Sequence, residues 1–452
     1  HAREHVLSRI IYVIPYNTVS DQTFATFHEI FSPLSKTCVV EATSSFEFDT
    51  EDDDVRTLRL SCENFDAEIV VTSSVNFFES LFSNKPSRCR KLHNIANSVI
   101  VIDEAQRMPT KLLPPTLAML ETLVSNFGCS VLMMSGTLPE FNDKAWLSKT
   151  DHHVIEDERL DEVKALLSGR VQYEYVGKMT MRQVCLEAKN RLSDDVRSEL
   201  IVFNKKLQTR VAAEVLRDKL KDSDVSVYCL TTEMSMENRL HVIAEITEKL
   251  VCGDRVVVCS TSLIEAGIDL DFDFAMRALA GLDSIIQVGG RVNRSGNKAQ
   301  GVVLVFELID GDGFDGIEDG AWLMPERKTT EQVVGHDMSQ VDEVDVLKYL
   351  SKIFSGYVDW PGALAVLCSC RVERRFAKSK RLPSNMDFVA IAKEYQLIKD
   401  GTECLLVPNT ADALACYWKL KNGIRCRFDK YSIAVWPNRL AGLVDAGVVE
   451  IA

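Results

Sequence analysis

SVIVIDEAQ, residues 98–106, is an apolar, β-branched run over 98–102 followed at once by Asp103, Glu104, Ala105 and Gln106. A short apolar run closed by polar residues reads as a fully buried strand of a parallel sheet, and such sheets bind ligands outside the carboxyl ends of their strands. Asp103 and Glu104 therefore fall where a ligand would sit. There Asp103 suits a Mg²⁺ ion held through water, and Glu104 suits a water that attacks the terminal phosphate of ATP. Taken alone, the pair is equally a strand end with two solvated acids.

Outward from this stretch, β-branched runs alternate with helical periodicity, the pattern of βαβ units. Strands are expected over 9–14, 67–71, 98–102 and 130–134, with helices over 19–31 and 111–127 between them. A charged stretch over 143–161 reads as a linker, and further strands are expected over 171–176, 199–203, 225–229, 255–259 and 302–306. After the Gly/Asp-rich segment 309–320 the pattern loosens into helices and short strands. The expected organisation is two α/β domains, 1–150 and 151–320, and a smaller C-terminal region, 321–452.

A second stretch, LDSIIQVGGRVNRSG over 282–296, contains Gln-x-x-Gly-Arg-x-x-Arg at Gln287, Gly290, Arg291 and Arg294. Three residues apart, Arg291 and Arg294 share one face if the segment is helical, and planar guanidinium groups suit a γ-phosphate whose charge spreads during transfer. Gly289 and Gly290 weaken a helix unless close backbone approach is wanted. The plain alternative is a surface helix with two solvated arginines.

Between the two lies RVVVCSTSLIEAGIDLDFD, a buried strand followed by Thr261 and Ser262, then Glu265, Gly267, Asp269 and Asp271. Hydroxyls and free amides past a strand suit phosphates of a nucleic-acid strand, and a following acid suits a ribose hydroxyl or an arginine. Thr261 could equally cap a helix. The same choice applies to Pro15, Tyr16, Thr18 and Gln22 after the first strand and to Thr72 and Ser73 after another. Ser135 and Thr137, flanking Gly136, form a short hydroxyl turn suited to coupling two sites. These signals carry weight as an ordered set, with acids on the first domain and arginines on the second, because ATP can then close two domains and hydrolysis release them.

Composition sets bounds. The chain has 452 residues, 46% hydrophobic and 26% charged, as in ordinary globular protein. A formal charge of −14 argues against a surface coated for non-specific nucleic-acid binding, although a local basic channel is compatible with it. The basic stretch 371–381 and the acidic run 47–55 read as solvated segments. Thirteen cysteines without a repeated CxxC spacing fit reduced thiols in a cytoplasmic protein. No apolar run is long enough to span a membrane. His336-Asp337 and Asp151-His152-His153 resemble metal-site fragments but lack further ligands in order.

The stretches PYNTVSDQ, VVTSSVNFFESLF, VIVIDEAQRMP, SGT, CSTSLIEAGIDLDFD and ALAGLDSIIQVGGRVNRSG resemble the helicase part of the CRISPR-associated type I helicase-nuclease family, within superfamily 2. The resemblance covers residues 9–308 well and the C-terminal stretch more loosely. It implies two tandem RecA-like parallel-sheet domains with a small C-terminal accessory domain. It further implies ATP and Mg²⁺ as cofactors, 3′ to 5′ translocation on single-stranded DNA, recruitment by the Cascade surveillance complex with its crRNA, and degradation of the DNA by an HD nuclease. On the matching positions it implies catalysis by Asp103, Glu104, Gln106, Arg291 and Arg294, and nucleotide contacts from Gly267, Asp269, Gln287 and Gly290. Two departures stand out. No Gly-x-x-x-x-Gly-Lys-[Ser/Thr] phosphate loop and no HD nuclease sequence occur in the 452 residues, so these are expected to be the later part of a longer polypeptide with little ATPase activity by themselves. Other superfamily 2 helicases, of DNA or RNA, and a non-catalytic helicase-like binding module remain the alternatives.

Overall fold

A computed structural model describes residues 7–15, 17–33, 35, 37–42, 53–108, 112–135, 169–265, 268–296, 298–319, 323–335, 337–338, 341, 343–357, 387–397, 402–424, 426 and 428–449. The expected linker at 143–161, the basic stretch 371–381, residues 151–153 and His336 lie outside them, as does most of the acidic run. Contacts divide the chain into two compact units, residues 1–153 with 354–400, and residues 154–353 with 401–452.

The first unit holds a five-stranded sheet of β1 (Arg9–Ile14), β2 (Val39–Ala42), β3 (Ile69–Ser73), β4 (Ser98–Ile102) and β5 (Ser130–Met133), in the order β2-β3-β1-β4-β5 with every pairing parallel. All five residues of β3 are buried, as a strand covered on both faces requires. The helix Leu113–Phe127 begins on Pro114 and Pro115, whose missing amide hydrogens cost nothing in a first turn. It buries Leu113, Leu117, Leu120 and Leu123 as one stripe and stops at Gly128, whose φ of 65° ends the helix in the left-handed region. Residues 387–397 belong to this unit: Tyr395 stacks on Phe82 with ring centroids 3.7 Å apart, and its hydroxyl lies 2.6 Å from Thr116 Oγ1.

The second unit holds β6 (Val171–Thr180), β7 (Ser198–Val202), β8 (Ser226–Leu230), β9 (Val256–Ser260), β10 (Phe274–Ala278) and β11 (Gly301–Ile309), in the order β6-β11-β10-β7-β9-β8, again all parallel. Strand alternation splits its core into two. Leu200, Val202, Val256, Val258, Ala275, Val303 and Val305 pack on one face, while Ile201, Val257, Cys259, Phe274, Met276, Leu304 and Phe306 pack on the other. The helix Met181–Arg191 starts on a capping box between Thr180 and Gln183.

Residues 402–449 group with the second unit and carry an antiparallel pair, β12 (Glu403–Leu406) and β13 (Ser432–Val435). Here Cys416 and Cys426 are joined, with Cα atoms 5.9 Å apart. That corrects the expectation of reduced thiols throughout: the turn after the helix Ala411–Lys421 returns the chain to within disulfide reach. Among the described residues, no helix is long and apolar enough to cross a membrane.

Candidate nucleotide and nucleic-acid site

At the carboxyl edge of the first sheet, β4 delivers Asp103 and Glu104 beside the end of β1. The Asp103 amide donates to Val13 O at 2.9 Å, extending the β1–β4 pairing by one residue. Asp103 Oδ1 then accepts the Glu104 amide at 2.9 Å, and Oδ2 accepts the Tyr12 hydroxyl at 3.1 Å. Burial, then the Asp103 carboxylate, push the Tyr12 hydroxyl far above its ordinary range, so it remains a donor. Each Asp103 oxygen takes one of these hydrogen bonds, leaving lone pairs for a hydrated Mg²⁺, an ion that typically keeps several waters and takes one or two carboxylates. Among the described residues no group of three or more His, Cys, Asp or Glu is placed to hold a metal, so an ion at Asp103 would draw the rest of its shell from water or a phosphate.

Glu104 sits at φ 50°, ψ 49°, a left-handed conformation that residues with a side chain seldom adopt and that concentrates at functional sites. Its carboxylate accepts Gln106 Nε2 at 2.5 Å, and Gln106 Oε1 accepts the Ser135 hydroxyl at 2.5 Å. Gln106 is buried, and the Ala105 amide donates to Met134 O at 3.0 Å, fixing the turn against the end of β5. Asp103, Glu104, Gln106 and Ser135 thus form one connected edge.

Pro15 follows β1, and Ser73 ends the neighbouring β3, where Ile14 pairs with Ser73. Thr72 has no exposed surface and donates to Ala42 O at 2.7 Å, while Ser73 Oγ caps the helix Ser74–Leu81 by accepting the Asn76 amide. Tyr16, Thr137 and Gly267 lie outside the described residues, as do the side chains of Thr18 and Gln22.

In the second unit, Thr261 occupies the position before a short 3-10 turn, yet its side chain makes no capping bond. Thr261 is half-buried and Ser262 exposed. Arg291 and Arg294 do not share a helix face. The helix Leu282–Gly289 ends before them, and Asn293 turns the chain at φ 50°. Arg291 Nη2 donates to Glu265 O at 2.8 Å, and Arg294 Nη1 pairs with Asp269 Oδ1 at 3.0 Å. The Asp271 carboxylate accepts the Arg294 and Ser295 amides, both at 2.8 Å. Loop hydrogen bonds, not helical periodicity, therefore bring both arginines to the same acidic segment. Gln287 is half-buried on the helix just before them.

Only one glycine of the pair is demanded by packing. A Cβ on Gly289 would lie 2.0 Å from the Tyr173 hydroxyl, whereas one on Gly290 would meet nothing closer than 3.4 Å. Composition and spacing had no means of revealing Tyr12, which lies mid-strand, or Arg277, a buried arginine of β10 that contacts Glu265.

Two tandem parallel-sheet α/β units with charged groups at their carboxyl edges define a protein of the RecA-like helicase fold. Known proteins narrow the class. Residues 3–145 match the DEAD/DEAH box helicase family, and residues 195–297 match the family described as CRISPR-associated nuclease/helicase Cas3, C-terminal. The CRISPR-associated nuclease/helicase Cas3 of Methanothermobacter thermautotrophicus is 26% identical over 234 residues, covering 50% of this chain and 26% of that protein. Its namesake in Haloferax volcanii is 50% identical over 58 residues, covering 12% and 6%. The crystal structure of T. fusca Cas3-ATP superposes with a TM-score of 0.67 at 13% identity, covering 98% of this chain and 60% of that one. The chain is similar to the helicase portion of Cas3-type proteins, and it spans less than two thirds of these relatives' own lengths.

Proposed function

We propose that this chain is the ATP-driven motor of type I CRISPR interference, translocating on single-stranded DNA and unwinding it for an HD nuclease, with the crRNA-bearing Cascade complex as recruiting partner. The observation that carries the reading is the connected edge Asp103–Glu104–Gln106–Ser135, with Glu104 held in a left-handed conformation. Bound ATP supplies the phosphoanhydride to be cleaved. Asp103 holds Mg²⁺ through water, Glu104 orients the attacking water, and Gln106 ties Glu104 to Ser135, which with Thr137 couples hydrolysis to the strand. Arg291 and Arg294 stabilise charge on the transferring phosphoryl group, and Gly267, Asp269, Gln287 and Gly290 line the nucleotide.

Pro15, Tyr16, Thr18, Gln22, Thr261 and Ser262 follow the strand backbone, and Thr72 and Ser73 shape the turn beside them. The uncapped hydroxyl of Thr261 supports this assignment over a purely structural one. Residues 321–452 serve as an accessory region, in a cytoplasmic protein.

Phosphate release stimulated by single-stranded DNA tests the reading, measured on the complete native polypeptide and on residues 1–452. No Gly-x-x-x-x-Gly-Lys-[Ser/Thr] sequence occurs within the 452 residues, so this segment is expected to turn over slowly while the complete polypeptide responds strongly to DNA. Stimulation by single-stranded RNA in place of DNA would assign the chain to RNA instead. No stimulation of the complete polypeptide by either would remove the motor reading altogether.

A further inference from the structure

Arg277 is the fourth residue of β10, an interior strand with β11 on one side and β7 on the other, and it is 2% exposed. Burying a guanidinium in a central strand is costly unless its donors find well-placed acceptors. Here they reach three separate elements. Nη1 donates to Asn204 Oδ1, just beyond β7, at 2.8 Å and to Ala278 O at 2.9 Å. Nη2 donates to Ser284 Oγ at 2.8 Å and lies 3.2 Å from Glu265 Oε1, while Ser284 Oγ donates to the same carboxylate oxygen at 2.6 Å. The Glu265 side chain is fully buried.

Both anchored residues bear on Arg291. Glu265 presents the carbonyl that accepts Arg291 Nη2 at 2.8 Å, and Ser284 lies on the helix Leu282–Gly289 from which Arg291 departs two residues later. Arg277 thus fixes the acceptor that holds Arg291 and the element that delivers it. An apolar side chain would fill the same core position without tying the two together, and a lysine lacks the planar fork that serves several acceptors at once.

We propose that Arg277 is a positioning residue for Arg291, acting through Glu265 and Ser284; this rests on the reading of the chain as an ATP-hydrolysing motor. Arg277 is sealed from solvent, so its effect falls on the rate of hydrolysis and passes through Arg291.

A double-mutant cycle on the complete native polypeptide tests this, with ATP hydrolysis measured under saturating single-stranded DNA. Arg277→Lys is expected to lower kcat roughly 10- to 100-fold with KM for ATP within about twofold, the pattern of a lost transition-state contact. Arg277→Lys/Arg291→Ala is expected to be no slower than Arg291→Ala alone, because residues acting as one unit are not additive. Ser284→Ala removes one link of the network and is expected to lower kcat about threefold, again with no further loss in the Arg291→Ala background. If Arg277→Lys fails to fold by circular dichroism, the Ser284→Ala cycle decides. Additive losses, an unchanged kcat or a loss confined to KM would overturn the positioning role while leaving the motor reading intact. A wild-type polypeptide that hydrolyses no ATP on DNA would overturn the motor reading, and this inference with it.

Discussion

At the edge of the first sheet, Asp103 and Glu104 are half-buried and each side-chain oxygen in use carries a single hydrogen bond, from Tyr12, the Glu104 amide or Gln106. At the edge of the second, Glu265 and Arg277 are sealed from solvent and bound to one another, to Ser284 and to Asn204 through the guanidinium Nη atoms and Glu265 Oε1. On the proposed function, the difference follows from what each edge does. Acids that hold a hydrated metal and a water must keep lone pairs free and exchange partners each cycle, so a light, open framework suits them. Arginines that meet a developing charge gain most from being already in place, and a buried, multiply bonded network supplies that rigidity.

Removing the reacting group on either side is the strongest test of the contrast. Glu104→Gln and Arg294→Ala are each expected to lower DNA-stimulated kcat by about 10³-fold in the complete polypeptide, the scale of losing a transition-state contact. Binding of a fluorescent single-stranded oligonucleotide should be nearly unchanged in both. A variant that binds DNA and still hydrolyses ATP at the wild-type rate would strip that residue of its role.

Within the second unit itself, Glu199 shows what an unsaturated buried acid does. Glu199, in β7, is fully buried, and neither of its carboxylate oxygens has a hydrogen-bond partner among the described residues. Burial pushes its carboxyl from the ordinary 4.5 up to about 8, against a downward pull from Arg191. The folded protein therefore holds a proton that the unfolded chain releases above about pH 4.5. The corresponding stability is complete below that pH and is lost as pH rises through about 8, at up to roughly 1.4 kcal/mol per pH unit. Glu199→Gln should flatten the decline and exceed the wild type in urea denaturation at pH 9. An equally steep profile in the variant would assign the decline to other groups.

Packing gives a smaller effect. Gly289→Ala is expected to destabilise by about 2 kcal/mol, since the Cβ would force the Tyr173 ring aside. Gly290 has φ −64°, open to any residue, and Gly290→Ala should stay within about 0.5 kcal/mol of wild type. Equal thermal shifts for the two would mean that the helix end, not the Tyr173 contact, selects glycine.

These contrasts also explain what the sequence disclosed. Strands such as 98–102 and 255–259 were legible because β-branched runs buried on both faces leave a continuous apolar signature. β2 and β10 were not. VVEA is only four residues long, and FAMRA has low strand preference and contains Arg277, whose burial makes sense only once Asn204, Glu265 and Ser284 surround it. Asp103 and Glu104 were placed at a strand end by position alone, whereas the Tyr12 and Ser135 contacts join residues 91 and 29 positions away from their partners. The shared helix face of Arg291 and Arg294 failed for a local reason. The helix ends at Gly289 and Asn293 turns the chain at φ 50°, so a spacing of three no longer means one face.

The finest test of the contrast lies at Tyr12. Its ring packs edge-on against Phe27 with centroids 5.3 Å apart, and its hydroxyl donates to Asp103 Oδ2 at 3.1 Å. Tyr12→Phe keeps the ring and removes only the donor, so folding should be preserved. If the first edge is the open framework described, Asp103 still has the Glu104 amide on its other oxygen, and kcat should fall only about two- to fivefold, the worth of one hydrogen bond. The Mg²⁺ concentration giving half-maximal rate should shift by a similar factor, because on the proposed function that bond orients the carboxylate that would hold the metal. A loss approaching that of Glu104→Gln would mean that Asp103 depends on a single rigid anchor. The first edge would then be built on the same plan as the second, and the distinction between an exchanging framework and a fixed one would fail at its acid side.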